Sequence, residues 1–383
     1  VRVDYNVPMD EEGEVADPAR IRASLPSLRH LLEGGARPVL VAHLGRPGGR
    51  PRPDLSLAPV ARALERDLGK PVRLLGAPDG EAEQASREAE PGTVLLLENV
   101  RFLEGETSND PGVARALARL GDFYVNDAFG ACHRSHASTV GAARLLRPAV
   151  TGFLVEAELK ALDALRADPD RPFVVALGGA KISDKFGLLE RMLERADRVL
   201  VGGAMANTLL RAAGRATGRS LVEEEVLDAA SRLQDDAGER LVLPEDLIVA
   251  PDPDAGDEAR AVGIDEIPEG TMALDVGPRT RSVFGEVVAG CRTLFWNGPM
   301  GYFEREAFAD GTRALARAAA RAAAGGAFTV VGGGDSARAV REATVADRLS
   351  HVSTGGGAAL TYLEAGTLPA LEALEDVDEE ETP

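Results

Sequence analysis

Short apolar runs alternate with amphipathic stretches along almost the whole chain. In the first half, residues 1–3, 38–42, 71–75, 93–97 and 123–125 read as strands. Between them, Ile21, Leu25, Leu28, Leu31 and Leu32 form one apolar helix face, with Asp17 and Pro18 as N-cap and first helical residue. A second helix is expected over about 57–68, and Asp110-Pro111 opens a third. Leu154, Ala157, Leu159, Leu162 and Leu165 predict a continuous helix over 153–166, which the run Asp168-Pro169-Asp170-Arg171-Pro172 breaks.

The second half repeats strand, glycine turn, helix. The apolar run 173–177 leads into Gly178-Gly179, and Val199-Leu200-Val201 leads into Gly202-Gly203. Thr293 to Trp296 precede Asn297-Gly298, Phe328 to Val331 precede Gly332-Gly333-Gly334, and His351 to Thr354 precede Gly355-Gly356-Gly357. Covering helices are expected over 186–196, 222–237 and 312–324. Such short glycine connections predict an α/β fold of doubly wound parallel sheets. At 383 residues two or three domains fit, and the helix over 153–166 is the candidate connector. The expected division is a first domain over 1–150, helix and linker over 151–170, and a second domain over 171–360. The acidic end, 375–383, is expected to fray.

Composition narrows the function classes. Hydrophobic and charged contents of 44% and 27% are those of a soluble globular protein, and no uninterrupted apolar stretch reaches the ~18 residues of a membrane span. A net charge of −19 excludes a general nucleic-acid or anionic-membrane surface, so any anionic ligand must meet a local basic cluster. Two cysteines, Cys132 and Cys291, cannot make a metal site alone, and reduced thiols in the cytoplasm are expected. No signal-peptide pattern is present, but the chain opens inside a strand, so residues upstream are expected and a targeting segment there would be invisible.

Two clusters carry chemistry. Leu177-Gly178-Gly179-Ala180-Lys181-Ile182-Ser183-Asp184-Lys185 is a strand end, a glycine turn and a helix start, which Asp184 can cap. The chain has only four lysines against 39 arginines, and two of the four fall here, where a compact ammonium suits a phosphate. Asp335, a lone carboxylate in a glycine setting, suits Mg²⁺ held jointly with phosphates. In the first half, polar residues follow strand ends and are cationic: Arg20, His43, Arg46, Arg101, His133, Arg134 and His136, including three of the five histidines. Each good charge-assisted bond contributes about 1.5–3 kcal/mol, so three or four reach the roughly 8 kcal/mol of micromolar binding to a small anion. The P-loop pattern, the protein-kinase His-Arg-Asp set, a strand-first Gly-x-Gly-x-x-Gly, metal-spaced His/Cys sets and a serine elbow are all missing. Phosphoryl transfer between a nucleotide on one half and a small anion on the other, after closure that excludes water, is the chemistry these residues imply.

The motifs Arg2-Val3-Asp4-Tyr5-Asn6-Val7-Pro8, His43-Leu44-Gly45-Arg46-Pro47, Glu98-Asn99-Val100-Arg101-Phe102, His133-Arg134-Ser135-His136-Ala137-Ser138, Gly178-Gly179-Ala180-Lys181, Trp296-Asn297-Gly298-Pro299 and Gly332-Gly333-Gly334-Asp335-Ser336 resemble, in order, those of the phosphoglycerate kinase family. The resemblance implies a monomer of two Rossmann-like domains joined by a helix and hinge. It also implies reversible glycolytic transfer from 1,3-bisphosphoglycerate to Mg-ADP, giving 3-phosphoglycerate and ATP. By position in the motifs, Asp4, Asn6, Arg20, His43, Arg46, Arg101 and Arg134 would hold phosphoglycerate, with His133 and His136 supporting them. Lys181 would stabilise the phosphoryl group in flight and Lys185 would hold nucleotide phosphate. Gly333, Gly334, Asp335 and Ser336 would lie at the nucleotide phosphates and Mg²⁺, and Asn297 and Glu304 near the nucleoside. Gly356, within Gly355 to Gly357, would aim a helix N-terminus at the reacting group. Arg20, Lys181, Gly333 and Gly356 are the implied catalytic set. The family pattern also implies that 361–383 returns to the first domain, and that loss of residues before Val1 lowers stability. The rivals are a nucleotide-dependent kinase or dehydrogenase of other specificity, and an inactive scaffold on the same fold.

Overall fold

The computed structural model describes residues 1–374; the acidic stretch 375–383 lies outside the described residues. The chain divides into two compact units, Val1–Lys160 with the segment from Ala365, and Ala161–Glu364. The helix Phe153–Arg166 runs through that division.

Among the described residues the first unit carries six strands: β1 (Arg2–Val3), β2 (Val39–Leu40), β3 (Val72–Leu75), β4 (Val94–Leu97), β5 (Tyr124–Asp127) and β6 (Ala149–Thr151). They pair in parallel as β1-β5-β6 and β2-β4-β3. A parallel bridge between Arg2 and Val41 joins the two sets, so the layer runs β3-β4-β2-β1-β5-β6. Val3, Ile21, Leu28, Leu40, Leu57, Leu64 and Leu96 are fully buried in the core beneath it. Each such side chain contributes about 1.5–3 kcal/mol.

Local chemistry sets the helix starts. Asp110 accepts from the amides of Gly112 and Val113 at 2.7 and 3.0 Å, and Pro111 supplies a preset φ. The Asp17 side chain accepts from Ala19 N at 2.9 Å, but Pro18 rather than Asp17 is the N-cap and the helix starts at Ala19, one residue later than expected. The apolar face that follows is split into the helices Ala19–Ala23 and Leu25–Glu33 rather than carried on one helix. Pro26 has no N–H to offer Arg22 O, so the ladder breaks there. Residues from Ala365 return to this unit: Ala370 N donates to Cys132 O at 3.1 Å, and Leu368 and Ala370 are fully buried.

The second unit holds β7 (Phe173–Leu177), β8 (Arg198–Val201), β9 (Leu241–Val242), β10 (Asp246–Ala250), β11 (Arg260–Gly263), β12 (Met272–Val276), β13 (Thr293–Asn297), β14 (Phe328–Gly332) and β15 (His351–Val352). Its main sheet is parallel, in the order β15-β14-β13-β7-β8-β9. A second sheet, β11-β10-β12, is antiparallel and was not among the expected elements. β10 and β11 carry no glycine-turn-helix sequel, the feature that marked the others, whereas β12 does, leading through Gly277 into the helix Pro278–Ala289. The helix expected over 222–237 begins at Leu227, after a 3-10 turn at Glu224–Val226. Among the described residues no helix is long and apolar enough to cross a membrane.

Candidate active site

In the first unit the loops after β2, β4 and β5 build a polar cleft of about 540 Å³, lined by Arg46, Arg101, Arg134 and His136 among others. Arg101 is buried and held by its Nη1 donating to Gly45 O at 2.8 Å, while its Nε has no partner among the described residues. Asn6 Oδ1 accepts from Gly45 N at 2.9 Å, so the β1 and β2 loops are tied together. Arg20 reaches buried Asp4 at 2.8 Å. Arg46 is exposed on the cleft wall.

Not every residue of the expected cationic set is a cation. His43 is buried, accepts from Arg2 Nη2 at 2.9 Å, and is pushed well below the usual imidazole range by burial and then by Arg2, Arg101 and Arg134. His133 is also lowered, by burial first and then by Arg134 and His136, and its Nε2 accepts from Arg134 Nε at 3.1 Å. Both are neutral at pH 7, which corrects their place in the charge count. Arg101 falls to about 10, through burial and then Arg134 and Arg2, and stays charged. The cleft's positive charge thus rests on its guanidinium groups.

In the second unit the tips of β7 and β13 lie side by side, with Gly178 N donating to Asn297 O at 3.0 Å. Lys185 Nζ sits on these tips, donating to Gly178 O at 2.6 Å and Asn297 O at 3.5 Å. Burial lowers its ammonium to about 8 against the pull of Asp335 and Asp184. Asp184 does not cap the following helix. Residues Ser183–Lys185 first make a 3-10 turn, and the helix Phe186–Arg195 starts after Lys185 with no side-chain cap. Ser183 donates through N and Oγ to Glu223 at 3.0 and 2.5 Å, which pins that turn instead. Lys181 is exposed, and Glu223 is the carboxylate that feels its charge.

Asn297 is buried and stands behind the Gly332-Gly333-Gly334 turn rather than in an open cavity. Its Nδ2 has no partner among the described residues. A Cβ on Gly333 would lie 2.9 Å from that nitrogen, and Gly333 has φ +93°, so glycine is required twice over. Ser336 is turned inward, with its Oγ accepting from Gly298 N at 2.6 Å, whereas Gly334 and Asp335 are exposed at the start of the helix Gly334–Glu342. Glu304 and Asp335 share the wall of a largely apolar cavity of about 330 Å³ with Gly179, Ala180, Leu274 and Met300. Gly356, φ +40°, precedes the helix Gly357–Ala365 and is not on that wall.

Sequence reasoning passed over Asp275, on the same wall at the end of β12. It is buried, Oδ2 accepts from Gly311 N at 2.7 Å, and Oδ1 has no partner among the described residues. Burial pushes its carboxyl from 3.8 up to about 7. Between those values the unfolded chain has released this proton and the folded chain keeps it, so Asp275 lowers stability as pH rises through that window. Asp275→Asn should therefore gain in Tm relative to wild type as pH goes from about 4 to 7, and no further above it. A difference in Tm independent of pH would overturn this. Its only sequence signal was a carboxylate at a strand end before Gly277-Pro278.

A family model for phosphoglycerate kinase matches residues 1–366. The chain belongs to the phosphoglycerate kinase family. It is 54% identical over 380 residues to the phosphoglycerate kinase of Rubrobacter xylanophilus, covering 99% of this chain and 95% of that protein. It is 56% identical over 381 residues to the phosphoglycerate kinase of Thermus thermophilus, covering 98% and 96%. The solved phosphoglycerate kinase of Coxiella burnetii superposes with a TM-score of 0.84 at 41% identity, covering 97% of this chain and 94% of that one. That of Pyrococcus horikoshii gives 0.86 at 34%, with the same coverage. The two parallel-sheet units are those of the phosphoglycerate kinase fold, and the family is one of transferases that use ATP and ADP.

Proposed function

We propose that this chain reversibly transfers a phosphoryl group from 1,3-bisphosphoglycerate to ADP, giving 3-phosphoglycerate and ATP as a step of glycolysis. The observation that carries this reading is the pairing, in one chain of this family, of an arginine cleft on strand-end loops with a lysine-and-glycine cradle on the tips of a second parallel sheet. In the ATP-consuming direction the nucleophile is a carboxylate, already ionised near neutral pH, so no general base is needed. What remains is positioning and neutralisation of the oxygens in flight.

In this reading Arg46, Arg101, Arg134, Asn6 and the Asp4–Arg20 pair hold phosphoglycerate, with neutral His43 fixing Arg2 behind them. Lys185 and the Gly333–Gly334 turn hold nucleotide phosphate, with Asn297 Nδ2 and Ser336 shaping the turn from inside, and Glu304 lies at the nucleoside. Lys181, Arg20 and the amides after Gly356 face the transferring group once rigid-body closure brings the substrates together. Asp335 fits Mg²⁺: it is a single exposed carboxylate beside the phosphate cradle, and among the described residues no group of three ligands could hold a metal without the nucleotide. When bound, Mg²⁺ would screen charge on the phosphate oxygens. The reading takes the protein as a cytoplasmic monomer without nucleic-acid or membrane partners.

The test is to mix the protein with ATP, Mg²⁺ and 3-phosphoglycerate and follow ADP. The expected result is ADP formed only when 3-phosphoglycerate is present. An inactive scaffold gives none, and a kinase of other specificity gives none without its own acceptor.

A further inference from the structure

The arginine cleft has a buried anion behind it that the mechanism does not use. Glu106 follows β4 and is 1% exposed. Its neighbours Gly105 and Thr107 line the cleft, while its own carboxylate points inward. Oε2 accepts from Ser138 N at 3.0 Å and Oε1 from Ser138 Oγ at 2.5 Å. Glu106 O accepts from Ala137 N at 2.9 Å. His136 Nδ1 lies 3.6 Å from Oε1. Ser138 Oγ in turn accepts from Nε of Arg2, itself 1% exposed, at 3.0 Å.

Among the described residues no arginine bonds Glu106 directly. It is a net negative charge facing Arg2 through a hydroxyl, with His136 beside it and Arg101 near enough for the carboxylate to oppose the depression of its pKa by Arg134, Arg2 and Arg46. Of the other buried carboxylates nearby, Asp4 is already paired with Arg20, and Asp127 at the end of β5 accepts from Leu154 N at 2.9 Å. The cleft therefore gathers like charges in a partly desolvated space, where repulsion is poorly screened. A buried anion there stabilises the unliganded loops, and it also subtracts from the positive potential that an anionic ligand meets.

We infer that Glu106 is the internal counter-ion of the cleft, holding the loops of β4 and β5 together when no ligand is bound and weakening the grip on phosphoglycerate when it is. The inference rests on the reading of the cleft as the phosphoglycerate site. Its consequence has an unusual sign: removing the charge should cost stability and increase affinity. A residue that merely shapes the loops would lower both.

The experiment is calorimetric titration of 3-phosphoglycerate into wild type, Glu106→Gln and Glu106→Asp at low and high salt, with Tm measured alongside. Glu106→Gln is expected to lower Tm and to bind 3-phosphoglycerate at least about threefold more tightly at low salt, a gain that shrinks as salt screens the potential. ADP affinity should not change. Glu106→Asp keeps the charge and should return affinity to the wild-type value. A folded Glu106→Gln that binds equally or more weakly would overturn the inference. Should Glu106→Gln be too unstable to titrate, its rise in Tm with saturating 3-phosphoglycerate is read instead: a larger rise than wild type supports the counter-ion, and an equal or smaller rise overturns it. Wild type that binds no 3-phosphoglycerate would overturn the functional reading, and this inference with it.

Discussion

Lys181→Ala is expected to lower kcat by about 10²–10³ while changing the KM for nucleotide far less, because one preorganised charge at the reacting oxygens has that worth and ground-state binding does not depend on it. The structure makes the substitution clean. Lys181 is exposed, and no hydrogen bond or ion pair of the described residues depends on it. The fold should survive, so Tm should stay near the wild-type value. Steady-state kinetics in both directions supply the check. Parallel losses in kcat and nucleotide affinity would assign Lys181 to ordinary binding rather than to the group in flight.

Lys185 should show itself through pH. Its ammonium is lowered to about 8 by burial on the tips of β7 and β13, so in the free protein the charge is lost as pH rises through that value. If only the ammonium form holds phosphate, ADP affinity should fall about 30-fold between pH 7 and 9.5 and be flat below 7. Binding above pH 8 should also take up a proton, visible as a heat that depends on the buffer's ionisation enthalpy. Lys185→Arg keeps a charge throughout and should remove the pH dependence, although the guanidinium cannot reproduce the contact with Gly178 O. An unchanged alkaline limb in that variant would place the titrating group elsewhere. The stability effect has its own sign. A lysine lowered by folding is protonated in the unfolded chain up to its ordinary 10.5, so its cost is greatest below about 8 and fades as pH rises towards 10.5.

Much of the architecture was written in local pattern. The runs at 173–177 and 94–97 are continuous apolar segments because both faces of a parallel sheet are covered, and the structure makes them β7 and β4. The helix Phe153–Arg166 kept its predicted bounds because its apolar spacing ran unbroken up to a proline-rich stop. The antiparallel strands β10 and β11 were not legible, since their pairing follows from tertiary contact rather than from a turn-and-helix sequel, and β12 was passed over although Gly277 and the helix Pro278–Ala289 follow it. Asp184 illustrates a narrower failure: an acceptor in the right place for a cap lost to a 3-10 turn that Glu223, some forty residues on, holds from outside. The site shows the same limit. The exposed residues proposed to meet ligand, such as Arg46 and Asp335, sit in recognisable loops, but the groups that fix or charge them do not. That His43 is neutral, that Asp275 stays protonated towards neutrality and that Glu106 is buried behind the cleft all depend on burial created by distant segments.

One chain is expected to hold two different anions on two different sheets. Separate calorimetric titrations of ADP and of 3-phosphoglycerate into wild type, Arg46→Ala and Lys185→Ala test it most directly. The expected result is crossed. Arg46→Ala should lose roughly tenfold or more in 3-phosphoglycerate affinity, less at high salt, and keep ADP. Lys185→Ala should lose ADP affinity and keep 3-phosphoglycerate. Both variants losing the same ligand, or Arg46→Ala losing ADP alone, would contradict it.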